Sequence, residues 1–155
     1  ALAFEPGEGD ELKRPPRDPA QPIFERHLLT HVMVNGAWMG LAAFALFWWT
    51  QVQAMELAAA QNLVLMLMVL FGNVHAWNSR SETRPPYRLK PFANPFLLCA
   101  IAGAQAAHIA AMHLPVISDV LGLRPIAPET WLALLAVAAS LFLVDTLAKR
   151  GAGRH

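Results

Sequence analysis

Charged residues are scarce in this sequence. Only 15% of its 155 residues are Asp, Glu, Lys or Arg, whereas 55% are hydrophobic and the mean hydropathy is +0.37. A typical soluble domain carries about 25% charged residues, so this chain has too few to cover the surface of a soluble protein of its size. The net charge of +1 says nothing about partners, but the positions of the charges do.

Cysteine and nucleotide-binding motifs are also missing or nearly so. Cys99 is the only cysteine, which excludes a disulfide framework within the chain and a thiolate metal cluster. There is no glycine-rich phosphate loop, no Asp-Lys-Thr-Gly phosphorylation motif and no soluble stretch long enough to hold ATP. No Ser/His/Asp or metal-hydrolase spacing is present either. We therefore expect the isolated chain neither to bind nor to hydrolyse ATP, and we expect no nucleic-acid partner.

Four long apolar runs are present instead, at about residues 27–50, 57–78, 94–115 and 129–148. Each is close to the roughly 20 residues that a helix needs to cross a bilayer. None has the wide polar face of a soluble amphipathic helix. The sequence therefore predicts an all-α polytopic membrane protein, a bundle of four transmembrane helices over residues 27–148.

The segments that flank these runs differ in composition from them. Residues 1–26 are rich in proline, glycine and charge, and their prolines prevent a continuous helix or a central strand, so we expect an extended linker. A basic tail, residues 149–155, follows the last run. The chain begins with alanine rather than methionine, and we expect it to be processed, truncated or part of a longer protein.

Basic residues are concentrated on alternate connections. The linker, the connection between the second and third runs and the tail are rich in Lys and Arg, whereas connections 51–56 and 116–128 contain only Arg124. Because positively charged loops stay in the cytoplasm, this pattern predicts that both termini and the middle connection are cytoplasmic. Tryptophan favours membrane interfaces, and four tryptophans lie near the ends of runs: Trp48, Trp49, Trp77 and Trp131.

Histidines near the predicted cytoplasmic ends are candidates for a haem or metal site. His31 in the first run and His75 in the second each lie about one turn inside that end, and His27 shares a helix face with His31. Imidazoles ligate haem and metal ions, but no second ligand pair accompanies them and His108 lies deeper, in another run. Hydrogen bonding at the interface or between helices is the alternative, and we favour it.

Polar side chains inside the runs form a second set of candidates: Asn35, Asn73, Gln105 and His108. In membrane helices such residues mark ion pathways or form hydrogen bonds between helices. None of them is a carboxylate. The acidic residues near the runs all lie toward helix ends: Glu56, Glu82, Glu129 and Asp145. A structural role is therefore favoured, with Asn73 and His75 kept as candidates for an ion pathway.

Small residues at helical spacing predict close contacts with other helices. In the first run these residues are Gly36 and Gly40, and in the third run they are Gly103, Ala107 and Ala111. Rows of this kind allow helix backbones to approach closely.

Asp145 and Lys149 lie one helical turn apart at the end of the fourth run. We expect them to form an ion pair, and a lysine at this position also suits a helix C-terminus.

Several motifs, taken in order, resemble the C-terminal membrane region of P-type cation-transporting ATPases of the calcium-pump-like class. DELKRPPRDP, residues 10–19, is similar to the family's cytoplasmic linker before the seventh helix, which carries an Asp-x-Met-(Lys/Arg)-Arg-Pro-Pro-Arg run. NVHAWNSRSE, residues 73–82, resembles the end of the eighth helix, with its Asn-x-x-Asn-x-Arg-Ser-Glu variants. The remaining matches are ALAFEPGEGD after the sixth helix, NPFLL at the start of the ninth, and ETWLALL with VDTLAK in the tenth. The resemblance covers essentially the whole chain.

This resemblance implies a membrane-embedded supporting domain, the seventh to tenth helices of an ATP-driven cation pump, which is not catalytic on its own. ATP and Mg²⁺ are implied for the parent pump, and no cofactor is implied for this chain. In the family the phosphorylated Asp, the nucleotide domain and most ion ligands lie upstream. The implied partners are therefore the upstream membrane helices, the cytoplasmic domains and the lipid bilayer, in a multi-pass protein of a bacterial-type plasma membrane.

Gly72 is where this chain departs from the family. The eighth helix of relatives often carries Glu or Gln three residues before the position of His75, and that position here is Gly72. Glycine has no side-chain ligand, so the family's ion site cannot be carried over to this helix. No metal ligand is assigned, and Asn73 and His75 remain the pathway candidates.

Two other functions stay open on the residues alone. One is a stand-alone four-helix channel or carrier, and the other is a haem-binding membrane bundle. An upstream reading frame with the phosphorylation motif and six more membrane helices would favour the pump, and a Soret band would favour the haem protein.

Overall fold

Helices account for most of the chain in the computed structural model, which describes residues 1–6, 26–81 and 84–152. Five are α-helices: α1 (Arg26–Val52), α2 (Leu57–Asn78), α3 (Pro95–His113), α4 (Pro115–Leu121) and α5 (Pro128–Ala152). Short 3₁₀ turns occur at Leu2–Phe4, Pro86–Arg88 and Pro91–Ala93, and the described residues contain no strand. The linker motif at 10–19, Glu82 and residues 153–155 lie outside the described residues, as does the side chain of His27.

Four of the helices, α1, α2, α3 and α5, are long and apolar enough to cross a membrane. The all-α fold with four membrane spans is therefore confirmed. α1 and α5 extend slightly beyond the apolar runs that predicted them, into the polar residues at their ends.

A short helix, α4, follows directly after the third apolar run. Pro115 lacks the N–H that would continue α3, so α3 ends at His113 and α4 starts at Pro115, the first helical position that proline favours. α4 ends at Leu121 and is capped by Gly122, whose φ of 66° is the left-handed conformation typical of a helix cap. The connection predicted at 116–128 therefore contains a helix of its own.

The core of the bundle is built on α2. Five of its apolar side chains form a buried cluster with residues from α3, from the segment after α4 and from α5: Leu63, Met66, Leu67, Leu70, Phe71, Met112, Leu123, Leu134, Ala138 and Leu141. α2 packs against both α1 and α5, which also contact each other, whereas α3 contacts α2 at its edge. Three helices thus form a packed unit, with α3 more loosely attached.

Most apolar side chains on α1 and α3 remain uncovered within the chain. Leu41, Phe44 and Trp48 of α1 are each more than 60% exposed, and Phe96 of α3 is 56% exposed. Side chains of this kind need a bilayer or other membrane helices around them. The protein is accordingly a multi-pass membrane protein.

The bundle has two chemically different ends. At one end, which we call the basic end, α1 and α3 begin, α2 and α5 finish, and Arg80, Arg84, Arg88, Lys90, Lys149 and Arg150 lie. At the opposite end lie the α1–α2 turn and α4, and Arg124 is the only Lys or Arg described there; it pairs with Asp119 at 3.0 Å.

The orientation of the basic end can be tested by labelling single cysteines in the full-length protein, with Cys99 and any cysteine outside this chain changed to Ala. We expect Gln51→Cys and Val120→Cys to react with a membrane-impermeant maleimide on intact cells, because the loops nearly free of positive charge face outward. Both positions are exposed, Val120 to 80%. The control is Tyr87→Cys, which is 64% exposed at the basic end and should react only after lysis. The reverse pattern would invert the topology.

Candidate functional site

A buried carboxylate joins three helices at the basic end. The Asp145 side chain on α5 is 0% exposed. Its Oδ1 lies 2.6 Å from His31 Nε2 and accepts a hydrogen bond from Asn35 Nδ2 at 3.2 Å, and both of these partners lie on α1. An ionised carboxylate can only accept, so a hydrogen bond between His31 and Asp145 is donated by His31 Nε2.

Lys149 extends this network to α2. Its Nζ lies 2.9 Å from Asp145 Oδ2, close but poorly aligned for a hydrogen bond, so the contact acts mainly as an ion pair. The same Nζ donates to the carbonyl oxygen of Asn78, the last residue of α2, at 2.8 Å. Asn78 Nδ2 in turn donates to the Leu141 carbonyl oxygen at 3.3 Å. The ion pair expected from the sequence is confirmed.

The spacing of these residues explains why they meet. Leu141, Asp145 and Lys149 are successive i, i+4 positions, which places them on one face of α5, and all three are buried. His31 and Asn35 have the same spacing on α1. The face that carries apolar residues deeper in the membrane therefore carries polar ones in its last turns.

The burial of Asp145 was not foreseen in the sequence. A carboxylate near a helix end is usually solvated, and Asp145 lies within the last two turns of α5. The signal that could have revealed its burial is the hydrophobic row at 134, 138 and 141, all buried, which continues directly onto position 145.

His31 and His75 differ in their surroundings. The Nε2 of His31, an atom that would ligate a haem or a metal, is occupied by Asp145. His75 lies within electrostatic range of Asp145, His31 and Lys149, and its Nδ1 is buried with no hydrogen-bond partner in the described part of the chain. Within the described residues, no three His, Cys, Asp or Glu side chains are grouped closely enough to hold a metal ion.

The other polar candidates link α2 to α3. Asn73 Nδ2 donates to Gln105 Oε1 at 2.9 Å, which is a hydrogen bond between helices. His108 Nε2 and Gln105 Nε2 are buried and have no partner among the described residues. The contact between α2 and α3 therefore leaves two buried polar nitrogens without a hydrogen-bond partner among the described residues.

The glycines of the apolar helices face open space. No atom of a neighbouring element lies within 4 Å of the position that a Cβ would take at Gly36, Gly40, Gly72 or Gly103. Close contact at the Gly36–Gly40 row is therefore not made inside the described chain and stays a prediction for helices outside it. Ala111 does pack against the core cluster.

A second ionic cluster lies where the chain leaves α2. The Arg80 guanidinium is 1% exposed and makes a forked contact with the Glu5 carboxylate, with Nε and Nη2 at 2.7–3.0 Å from its oxygens. Nη2 also donates to the Lys90 carbonyl oxygen at 2.9 Å, and the Trp77 ring lies 4.8 Å below Cζ. Asn94 donates to Glu5 Oε2 and caps α3 by accepting from the Leu97 N–H.

This cluster determines the ionisation of Glu5. Burial by itself would raise the pKa of Glu5, but the hydrogen bonds from Arg80 and Asn94 and the charge of Arg80 outweigh it and leave the pKa below its usual value of 4.5. Glu5 is therefore an anion that ties the first residues of the chain to the end of α2 and the start of α3.

This chain is similar in sequence to the C-terminal part of known cation-transporting ATPases. The profile of the family described as "Cation transporting ATPase, C-terminus" matches residues 1–151. The "Probable cation-transporting ATPase F" of Mycobacterium bovis is 32% identical over 152 residues, covering 96% of this chain and 17% of that protein.

Two more distant relatives show the same coverage pattern. The "Calcium-transporting ATPase" of Bacillus subtilis is 29% identical over 140 residues, 90% of this chain and 16% of its own length. The "Calcium-transporting ATPase type 2C member 2" of Mus musculus is 24% identical over 151 residues, 96% of this chain and 16% of its own length. The chain thus spans about a sixth of the relatives it matches.

Replacing Asp145 with Asn should destabilise the full-length protein by about 3–5 kcal/mol, because Lys149 would be left buried without a counter-charge. The loss is measured as the shift in thermal unfolding in detergent. The double variant Asp145→Asn/Lys149→Met should be more stable than Asp145→Asn alone, since it removes the uncompensated charge. Glu129→Gln, at an exposed position in the first turn of the same helix, is the control. An Asp145→Asn variant as stable as this control would contradict the network.

Glu5→Gln should also lower stability, and its effect should depend on pH. Because the pKa of Glu5 is lowered in the folded protein, its contribution is fully present above about pH 4.5 and is lost as the pH falls through the lowered pKa. Unfolding midpoints of the two proteins should therefore differ at pH 7 and converge below pH 4.5. Asp119→Asn, which disrupts an exposed pair, should show little difference at any pH. A pH-independent gap for Glu5→Gln would contradict the assignment.

Proposed function

The chain belongs to the cation-transporting ATPase C-terminus family, and we propose that it forms the last four membrane helices of an ATP-driven cation pump. The observation that carries this proposal is the family match over residues 1–151, together with relatives named as cation- or calcium-transporting ATPases. The match includes the N-terminal segment and all four long helices.

The role proposed for these helices is support of the transport pathway. The strongest ionic groups, Asp145, Lys149 and Arg80, already bind one another or Glu5, so their charges are used within the bundle. Their contacts join α1, α2 and α5 to the first residues of the chain and the start of α3. These contacts hold the helices of the bundle in a fixed arrangement, so that other membrane helices can move relative to it. The ion ligands then come mainly from other helices of the pump.

The remaining parts of the pump are proposed from the relatives. Their names as ATPases support the use of ATP and Mg²⁺ by domains upstream of this chain, and upstream membrane helices as its direct partners. We divide the chain into a cytoplasmic linker (1–26), a membrane domain (27–148) and a basic tail (149–155). The relatives from Mycobacterium bovis and Bacillus subtilis favour a bacterial-type plasma membrane.

One face of α2 is the proposed contact with the ion-binding helices. Gln61, Leu65, Met68 and Gly72 recur at helical spacing, and all four are exposed in the chain. Gly72 has free space around it, and the family resemblance implies that this position carries a ligand in other members. With no side-chain oxygen there, we expect the pump to carry a single ion per cycle or to use a water molecule at this point, since calcium prefers six to eight oxygens.

The register of α2 can be tested with Gly72→Glu in the full-length pump. A carboxylate facing the pathway should raise the apparent affinity for Ca²⁺ about tenfold or increase the number of ions carried, measured by Ca²⁺-dependent ATP hydrolysis and ⁴⁵Ca²⁺ uptake. Leu143→Glu, at an exposed position on α5 outside the proposed contact face, controls for the general cost of a carboxylate in the membrane. If Gly72→Glu changes neither quantity, or matches Leu143→Glu, then Gly72 does not face the pathway.

A further inference from the structure

A basic cavity lies at the basic end, between the first residues of the chain and the connection from α2 to α3. Its volume is about 410 Å³. Four cationic side chains line it, together with a single described carboxylate: Arg80, Arg84, Arg88, Lys90 and Glu5. Among the described residues, Arg80 is paired with Glu5, and the exposed side chains of Arg88 and Lys90 add two further positive charges. The cavity is therefore suited to an anion.

Arg80 supplies an unused donor at this cavity. Its side chain is 1% exposed, and Nε and Nη2 are bound to Glu5 and to the Lys90 carbonyl oxygen. The third nitrogen, Nη1, is buried and has no acceptor among the described residues. A buried guanidinium N–H without an acceptor is unfavourable, and an oxyanion in the cavity would provide one. The forked contact with Glu5 and the Trp77 ring hold this guanidinium in place before any ligand arrives.

The depth of the cavity indicates which anions can reach it. Arg80 follows the last residue of α2 by two positions, and Lys90 precedes the start of α3 by five. The cavity therefore lies at the level of the lipid headgroups, just outside the hydrocarbon layer. Phosphodiesters are the abundant anions at that depth, and basic pockets beside membrane helices bind anionic headgroups.

An apolar cavity adjoins the basic one. It has a volume of about 370 Å³, is lined by Trp77 of α2 and Phe142 of α5, and shares Leu89 with the basic cavity. A phosphate bound at the cationic side chains would thus have an apolar surface next to it, against which part of an acyl chain could pack. Free phosphate has no apolar group that could contact such a surface.

We propose that the basic cavity binds the phosphate oxyanion of an anionic phospholipid, through Arg80, Arg88 and Lys90, with its acyl chain against the neighbouring apolar cavity. The bound lipid would bridge the first residues of the chain and the α2–α3 connection. It would add to the Glu5–Arg80 contact that already joins these segments.

The variants for the test are Arg88→Gln and Lys90→Gln. Both side chains are exposed at the rim, and neither change removes the Lys90 carbonyl that accepts from Arg80. Arg124→Gln is the matched control, because it removes one exposed positive charge at the opposite end. The unfolding midpoint of each variant is measured first, to establish that the variant folds.

The measurement is isothermal titration of the delipidated full-length protein in detergent with dihexanoyl phosphatidylglycerol, dihexanoyl phosphatidylcholine and inorganic phosphate. We expect phosphatidylglycerol to bind at least tenfold more tightly than phosphatidylcholine. Arg88→Gln and Lys90→Gln should each weaken its binding about fivefold, and Arg124→Gln should leave it unchanged.

Each other outcome has a definite meaning. If inorganic phosphate binds as tightly as phosphatidylglycerol and loses affinity in the same two variants, the ligand is free phosphate and the phospholipid proposal is overturned. Equal binding of the two lipids would overturn the proposal. So would an equal loss in Arg124→Gln, because binding would then follow overall charge rather than this cavity.

Discussion

A carboxylate buried among membrane helices requires partners, and the packing of the basic end depends on that requirement. Asp145 is fully buried, and ionised carboxylates in such surroundings are very costly unless paired and hydrogen-bonded. Its partners come from α1 and from its own helix, and Lys149 carries the connection on to α2. Apolar packing alone would allow these helices to slide or rotate in a bilayer, since lipid tails compete equally for apolar side chains. The ionic contacts fix one arrangement.

The end of α2 connects this network to a second ionic centre. Asn78 contacts Lys149 and α5, and Arg80, two residues later, contacts Glu5 and the Lys90 carbonyl oxygen. Glu5 in turn accepts a hydrogen bond from Asn94, which caps α3. The polar residues at the end of α2 therefore connect that helix both to α5 and to the start of α3.

Much of the fold could be predicted from the sequence, because the bilayer imposes long apolar runs that are visible in one dimension. The four spans were predicted for this reason, and the Asp145–Lys149 pair was predicted from its spacing of one helical turn. The separate helix α4 was missed because its seven residues are too few to form a membrane span, so residues 116–128 were assigned to a connection. The contact between Glu5 and Arg80 was also missed, since 75 residues separate them and no local pattern indicates which carboxylate a given arginine will meet.

The central claim is that this chain forms a structural membrane domain of a cation pump. It is tested most directly by expressing the upstream part of the pump with this chain supplied as a separate polypeptide, and measuring cation-dependent ATP hydrolysis of the purified material over a panel of cations. The account predicts that the two parts co-purify and that cation-dependent hydrolysis requires both. Full cation-dependent hydrolysis by the upstream part alone, or failure of the chain to associate with it, would contradict the account.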